Sequence, residues 1–201
     1  MNIEAPVPDG RIDAILDRIR GSFAEKGFDG ASMQDLARAA GMSVGNFYRY
    51  FSSKAAIVEA MVTRDLADVE RDFSEVMAAP DPMASLMEGL RERIAGEGLC
   101  DANDAPLWAE ITAASMRKPE IGQIVGRMET AVERHLLAVF AHVTGLPPDE
   151  AGRRFRAHAV LIVMLVKASA MQTQQKADAD LHDLILRTVE GVLAEVLAAK
   201  G

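Results

Sequence analysis

Apolar residues recur three and four positions apart along this chain, and glycines and prolines cut that repeat into helix-length segments. The breakers are Gly27, Gly30, Gly41, Pro80, Pro82, Gly96, Gly98, Pro106, Pro119, Gly145, Pro147 and Pro148. Ile12, Ile15, Ile19 and Phe23 form one such stripe between Arg11 and Lys26, with Gly27 as the expected C-cap. Alternating apolar and polar residues flanked by turn dipeptides, the mark of strands, are absent. Aromatics are only 5% of the residues and methionine contributes 11, a mixture that favours helix. The pattern predicts an all-α fold of about nine helices and no sheet. They are expected over 11–26, 33–40, 44–50, 53–77, 82–95, 104–117, 119–143, 148–175 and 178–199.

The 201 residues suit a small head on a larger body. Charge divides the chain the same way. Residues 1–54 carry seven Lys/Arg against seven Asp/Glu, whereas residues 55–201 carry 15 against 23 and hold the whole net charge of −8. A nucleic-acid surface in the head must then be built from a few placed cations and backbone N–H groups, not from a basic tail. Cys100 is the only cysteine, which rules out an intrachain disulfide and suits a reducing cytosol. Met1 to Gly10 shows no secretory pattern. The longest apolar run, Ala159 to Val166, is far short of the ~20 residues that a spanning helix needs. A cytoplasmic protein without membrane contact is expected.

Residues 32–54 hold the most informative chemistry. Ser32 can cap a helix, with Asp35 as its capping-box partner. Leu36, Ala37 and Ala40 make an inner face on which the alanines permit close approach. Gly41 allows a sharp turn, Met42 plugs it, and Ser43 caps the next helix. Two short helices joined by such a turn are the helix-turn-helix pattern. In the second helix Phe47 and Phe51, four apart, point inward. Val44, Gly45, Asn46, Tyr48, Arg49 and Tyr50 are left to face outward. That set exceeds what solubility requires and suits phosphates and base edges.

The run Gly41-Met-Ser-Val-Gly-Asn-Phe-Tyr-Arg-Tyr-Phe51-Ser-Ser-Lys54 resembles the signature of the TetR family of transcriptional regulators, and the likeness extends over about residues 11–57. The resemblance implies a DNA-binding head, residues 1–54, on a ligand-binding and dimerisation body, residues 55–201. It implies that Val44, Gly45 and Asn46 approach bases and that Tyr48 and Tyr50 hold phosphates. Arg49 reaches a base or phosphate, Ser32 and Lys54 clamp the DNA backbone, and Ser43 caps the reading helix. An apolar residue at Val44 departs from the family's habit of a polar or basic one. It can meet a thymine methyl but donates no hydrogen bond.

The resemblance also implies an effector pocket among the central helices and a dimer face on the last two. The pocket candidates are Met87, Leu90, Arg91, Trp108, Ile111, Met116, Met128, His135 and Met164, because methionines adapt to irregular ligands and Trp108 offers a flat face. Core filling is the plainer reading of each methionine. The candidate dimer face is Phe155, Ile162, Val163 and Val166 with Leu181, Ile185, Val189 and Val192, on two helices too apolar for one buried stripe. His135 and His142 share a helical face but lack further ligands, so no metal is expected. Asp101 and Asp104 lack the spacing of a calcium loop. No phosphate loop, Cys-x-x-Cys or nucleophile elbow is present, so neither an enzyme nor a cofactor is expected. The expected partners are double-stranded operator DNA, a mainly apolar small-molecule effector, and a second copy of the chain.

Overall fold

A computed structural model describes residues 9–95, 105–170 and 179–199. Cys100, Asp101 and Asp104 lie outside the described residues. Among those described, nine α-helices and no strand occur: α1 (Asp9–Gly30), α2 (Met33–Ala39), α3 (Val44–Tyr50), α4 (Lys54–Ala78), α5 (Pro82–Ala95), α6 (Ala105–Ser115), α7 (Pro119–Thr144), α8 (Pro148–Ala170) and α9 (Ala179–Ala198). The all-α expectation holds, and the breakers act as their chemistry dictates. Pro82, Pro119 and Pro148 each occupy the first position of a helix, where the missing N–H costs no bond. Asp81 caps α5 by accepting the N–H groups of Met83 and Ala84.

The chain packs as two units, Met1–Arg64 with Pro106–Val125, and Asp65–Ala105 with Gly126–Gly201. The head expected over residues 1–54 lies in the first, which also takes the start of α4, most of α6 and the start of α7. Its core holds Leu16, Ile19 and Phe23 of α1, Leu36 of α2, Phe47 of α3, Ile57 and Met61 of α4, and Leu107 and Ile111 of α6, all buried. Each large side chain so buried contributes about 1.5–3 kcal/mol relative to exposure. The expected end of the first helical run at Gly27 is met, and what the sequence did not show is that a further turn follows it. Gly27 breaks the helix at φ 71° and ψ 165°, and one further turn follows to Gly30, with the Ala31 N–H donating to the Gly27 carbonyl at 3.1 Å. A side chain at that φ would be strained, so glycine is required.

The second unit is built on Leu86 and Leu90 of α5, Val139 and Phe140 of α7, Phe155 and Ile162 of α8, and Ile185 and Val189 of α9. The Phe140 and Phe155 rings meet edge to face at 6.1 Å. This overturns part of the expected dimer face. Phe155, Ile162, Ile185 and Val189 are at most 7% exposed within one protomer and belong to its own core. Val163, Val166 and Val192 are half-buried against that core, and only Leu181 of the expected set is exposed. The apolar side chains that α8 and α9 leave to solvent are Leu161, Met164, Leu181, Leu184 and Leu197. No helix among the described residues is long and apolar enough to cross a membrane.

Candidate nucleic-acid interface

The interface starts from two capped helices. The Ser32 hydroxyl accepts the Asp35 N–H at 3.1 Å, and the Asp35 carboxylate accepts the Ser32 N–H at 3.1 Å, which completes the capping box. The Ser32 hydroxyl also donates to Asp35 at 2.6 Å, so its hydrogen-bonding capacity is largely spent within the cap. Lys26 stands 2.8 Å from the same carboxylate and, with the Ser32 bonds, holds it well below the usual carboxylate range. At the far end of α2, Gly41 adopts φ 69°. Its N–H donates to the Arg38 carbonyl and that of Met42 to the Ala37 carbonyl, the paired closure of a Schellman motif. Ser43 then caps α3 by accepting the Asn46 N–H at 3.3 Å.

These turns fix α3 with Phe47 fully buried and the opposite face open. Phe47 packs 5.4 Å from Phe51, ring centre to ring centre. Val44 is 39% and Tyr48 48% exposed, one turn apart. Gly45 and Arg49 are exposed beside them, and Asn46 and Tyr50 are half-buried at the edges. Gly45 has no structural reason to be glycine. It lacks a positive φ, and a Cβ placed there meets nothing within 4 Å. Glycine in mid-helix costs roughly 0.5–1 kcal/mol relative to alanine, and less at the second position of a helix, where Gly45 stands. A bare, backbone-exposing step between Val44 and Tyr48 suits close approach of a second molecule.

Two cations differ from the sequence reading. Lys54 was expected to grip the DNA backbone, and the structure corrects this. Its ammonium donates to the Phe28 carbonyl at 2.5 Å and the Asp29 carbonyl at 3.1 Å, and lies 5.0 Å from the Phe28 ring centre. These are the carbonyls that the end of α1 leaves unpaired, so Lys54 closes the head from within. Burial pushes its pKa down. Arg11, which the sequence did not single out, places its guanidinium 5.6 Å from the Tyr50 ring centre. The two are far apart in sequence, so no local pattern reveals the pair.

The expected pocket residues are divided between the two units. Trp108, Ile111 and Met116 belong to the first unit and the other six to the second. Ile111 and Leu90 are core residues, Arg91 pairs with Glu88 and Glu190, and Met116 and Met164 are exposed to 85% and 62%. Met128 is half-buried. His135 stacks on Phe73 at 5.1 Å, and burial lowers its pKa. Two open grooves of about 700 and 680 Å³ occur in the second unit, and Met87 alone of the candidates lines one of them. Among the described residues no cluster of His, Cys, Asp or Glu fits a metal ion.

A Schellman-closed helix pair with an open face on the second helix defines a helix-turn-helix protein. The profile of "Bacterial regulatory proteins, tetR family" matches residues 15–61. The HTH-type transcriptional regulator BetI of Klebsiella pneumoniae (strain 342) is 31% identical over 147 residues, 70% of each chain. The HTH-type transcriptional repressor KstR2 of Rhodococcus jostii (strain RHA1) is 28% identical over 116 residues, 58% of this chain and about half, 52%, of KstR2. Among solved structures, Salmonella enterica GusR superposes with a TM-score of 0.74 at 22% identity, covering 96% of this chain and all of GusR. AibR, solved with isovaleryl coenzyme A and operator DNA, gives a TM-score of 0.63 at 16% identity, covering 89% and 97%. At such identities these two structures show the shared fold. The chain belongs to the tetR family of bacterial regulatory proteins, a family of transcriptional regulators and not of enzymes.

Proposed function

We propose that this protein is a ligand-responsive transcriptional regulator, acting as a repressor, that binds a pseudo-palindromic operator as a homodimer and is released by a small, mainly apolar effector. The observation that carries the DNA reading is the open face of α3: Val44 and Tyr48 exposed one turn apart, with Gly45 bare between them for no packing reason. Val44 can contact a thymine methyl, Asn46 and Arg49 can reach base edges or phosphates, and Tyr48 and Tyr50 can hold phosphates. Lys54 supports this face from inside. The dimer reading rests on Leu161, Met164, Leu181, Leu184 and Leu197, apolar side chains of α8 and α9 that one protomer leaves to solvent. A two-fold dimer presents two copies of α3 and so asks for two half-sites.

Repression is supported by the likeness to KstR2, named a transcriptional repressor, and AibR, solved in complex with isovaleryl coenzyme A and operator DNA, shares the fold. Selection of duplexes from a random pool tests the proposal. Enriched sites should contain two inverted half-sites centred about one helical turn, roughly 10 bp, or a multiple apart. Recovery of single unpaired sites would refute the dimeric mode, and no enrichment at all would refute operator binding.

A further inference from the structure

The break in α1 creates a problem that a distant residue solves. At Gly27 the backbone leaves the helix, and the Phe28 N–H loses a continuous helical run behind it. Phe28 is buried, so that donor needs a partner. It donates to the Glu110 carboxylate of α6 at 3.1 Å, across 82 residues of sequence. The approach is close. A Cβ at position 27 would stand 2.9 Å from the same carboxylate oxygen. The glycine therefore serves both the turn and the passage of Glu110.

Neighbouring bonds secure the same corner. Arg117 and Lys118, in the turn after α6, pair with the Asp29 carboxylate at 3.1 and 3.0 Å. The Lys118 ammonium first, then the Arg117 guanidinium, hold Asp29 below the usual carboxylate range. From the other side Lys54 takes the Phe28 and Asp29 carbonyls. Residues 27–30 are thus gripped from α4 and from α6 at once. The grip bears on the reading helix because the corner runs directly into Ser32, the cap of α2, and the Gly41 turn carries α2 into α3.

We propose that Glu110 is a positioning residue for operator binding: it touches no DNA but, by accepting the Phe28 N–H, fixes the α1–α2 corner on which α3 is mounted. The inference rests on the DNA reading above. The asymmetry of the contact sharpens it. The Asp29–Arg117 pair is exposed and water replaces it readily, whereas the Phe28 N–H belongs to a buried residue and its bond to Glu110 is partly shielded.

The test uses the full chain and a duplex that the wild-type protein itself selects from a random pool. Glu110→Ala should bind that duplex about tenfold more weakly, with an unchanged salt slope because no phosphate contact is lost. Amide hydrogen exchange at Phe28 should accelerate in the same variant. Glu110→Gln, whose amide oxygen still accepts, should restore both affinity and protection. Should Glu110→Ala not fold, Glu110→Asp withdraws the carboxylate by one methylene and should show a smaller loss in both readouts. Wild-type affinity in a folded Glu110→Ala or Glu110→Asp protein overturns the proposal, as does loss of affinity with Phe28 still protected. A wild-type protein that selects no duplex overturns the DNA reading itself, an outcome distinct from either.

Discussion

Gly45→Ala separates stability from recognition, because the two readings of this residue predict opposite signs. Within the protein the new methyl enters open space, with nothing within 4 Å and no positive φ to strain. Alanine is favoured over glycine by roughly 0.5–1 kcal/mol in a helix interior and by less in the first turn, so the head should become more stable by at most that amount. For a chain of this size each kcal/mol moves the unfolding midpoint by about 2–4 °C, which gives a rise of at most about 4 °C. On the outer face the same methyl stands beside the Val44–Tyr48 ridge. A methylene forced into a well-packed contact costs typically 1–3 kcal/mol, equivalent to roughly 5- to 150-fold weaker operator binding. Thermal unfolding and operator titration on one preparation read both effects. A raised midpoint with unchanged affinity refutes the assignment of this face to DNA. A lowered midpoint refutes the claim that position 45 has no structural need for glycine.

Three further outcomes follow from the geometry. Lys54→Ala should lower stability by about 1 kcal/mol through two abandoned carbonyls and leave the salt slope of DNA binding unchanged; a Lys54 slope change in titrations at several salt concentrations would contradict its internal role. Leu184→Lys should leave the protomer folded but shift it to monomer in sedimentation, whereas Phe155→Ala should cost about 3–5 kcal/mol in denaturant unfolding; a dimeric Leu184→Lys protein removes that residue from the interface. His135 has a folded pKa lowered mainly by burial, with Arg134 adding and Glu70 opposing. The unfolded chain therefore binds its proton first, and stability should fall as pH drops below about 6.5. His135→Gln should flatten that fall, and identical pH dependence in the two proteins would remove His135 as its source.

What the sequence revealed was local, and what it hid was not. Ser32, Gly41 and Ser43 act within four residues of their partners, so capping and turn chemistry placed α2 and α3 correctly. Gly27 marked the break in α1, but the Phe28 N–H beyond it finds its acceptor on Glu110, 82 residues away, and no spacing rule connects the two. Lys54 misled for the same reason, since its partners are carbonyls at the end of another helix. The last two helices show a different limit. Apolar repeats give the period of a helix but not which of two apolar stripes meets the protomer's own core. Phe155, Ile162, Ile185 and Val189 take that place, and Leu161, Met164 and Leu184, a step round the helix, stay outside. Methionine positions carried still less direction, since Met116 and Met164 are exposed while Met87 and Met128 are half-buried.

Several of the head's cations are already committed: Lys26 to Asp35, Lys54 to two carbonyls, and Arg18 to the Ala40 carbonyl. The carbonyl bonds fix those cations in place without neutralising them, but seven Asp/Glu balance the head's seven Lys/Arg, so little net positive field remains to hold the protein on arbitrary stretches of chromosome. Release of condensed counterions drives such sequence-blind retention, and a chain with a net charge of −8 gains little from it. Its search for a site should proceed by repeated encounters from solution more than by sliding along the duplex. A greater share of its copies then stays unbound, and a small number of molecules per cell can keep one site occupied.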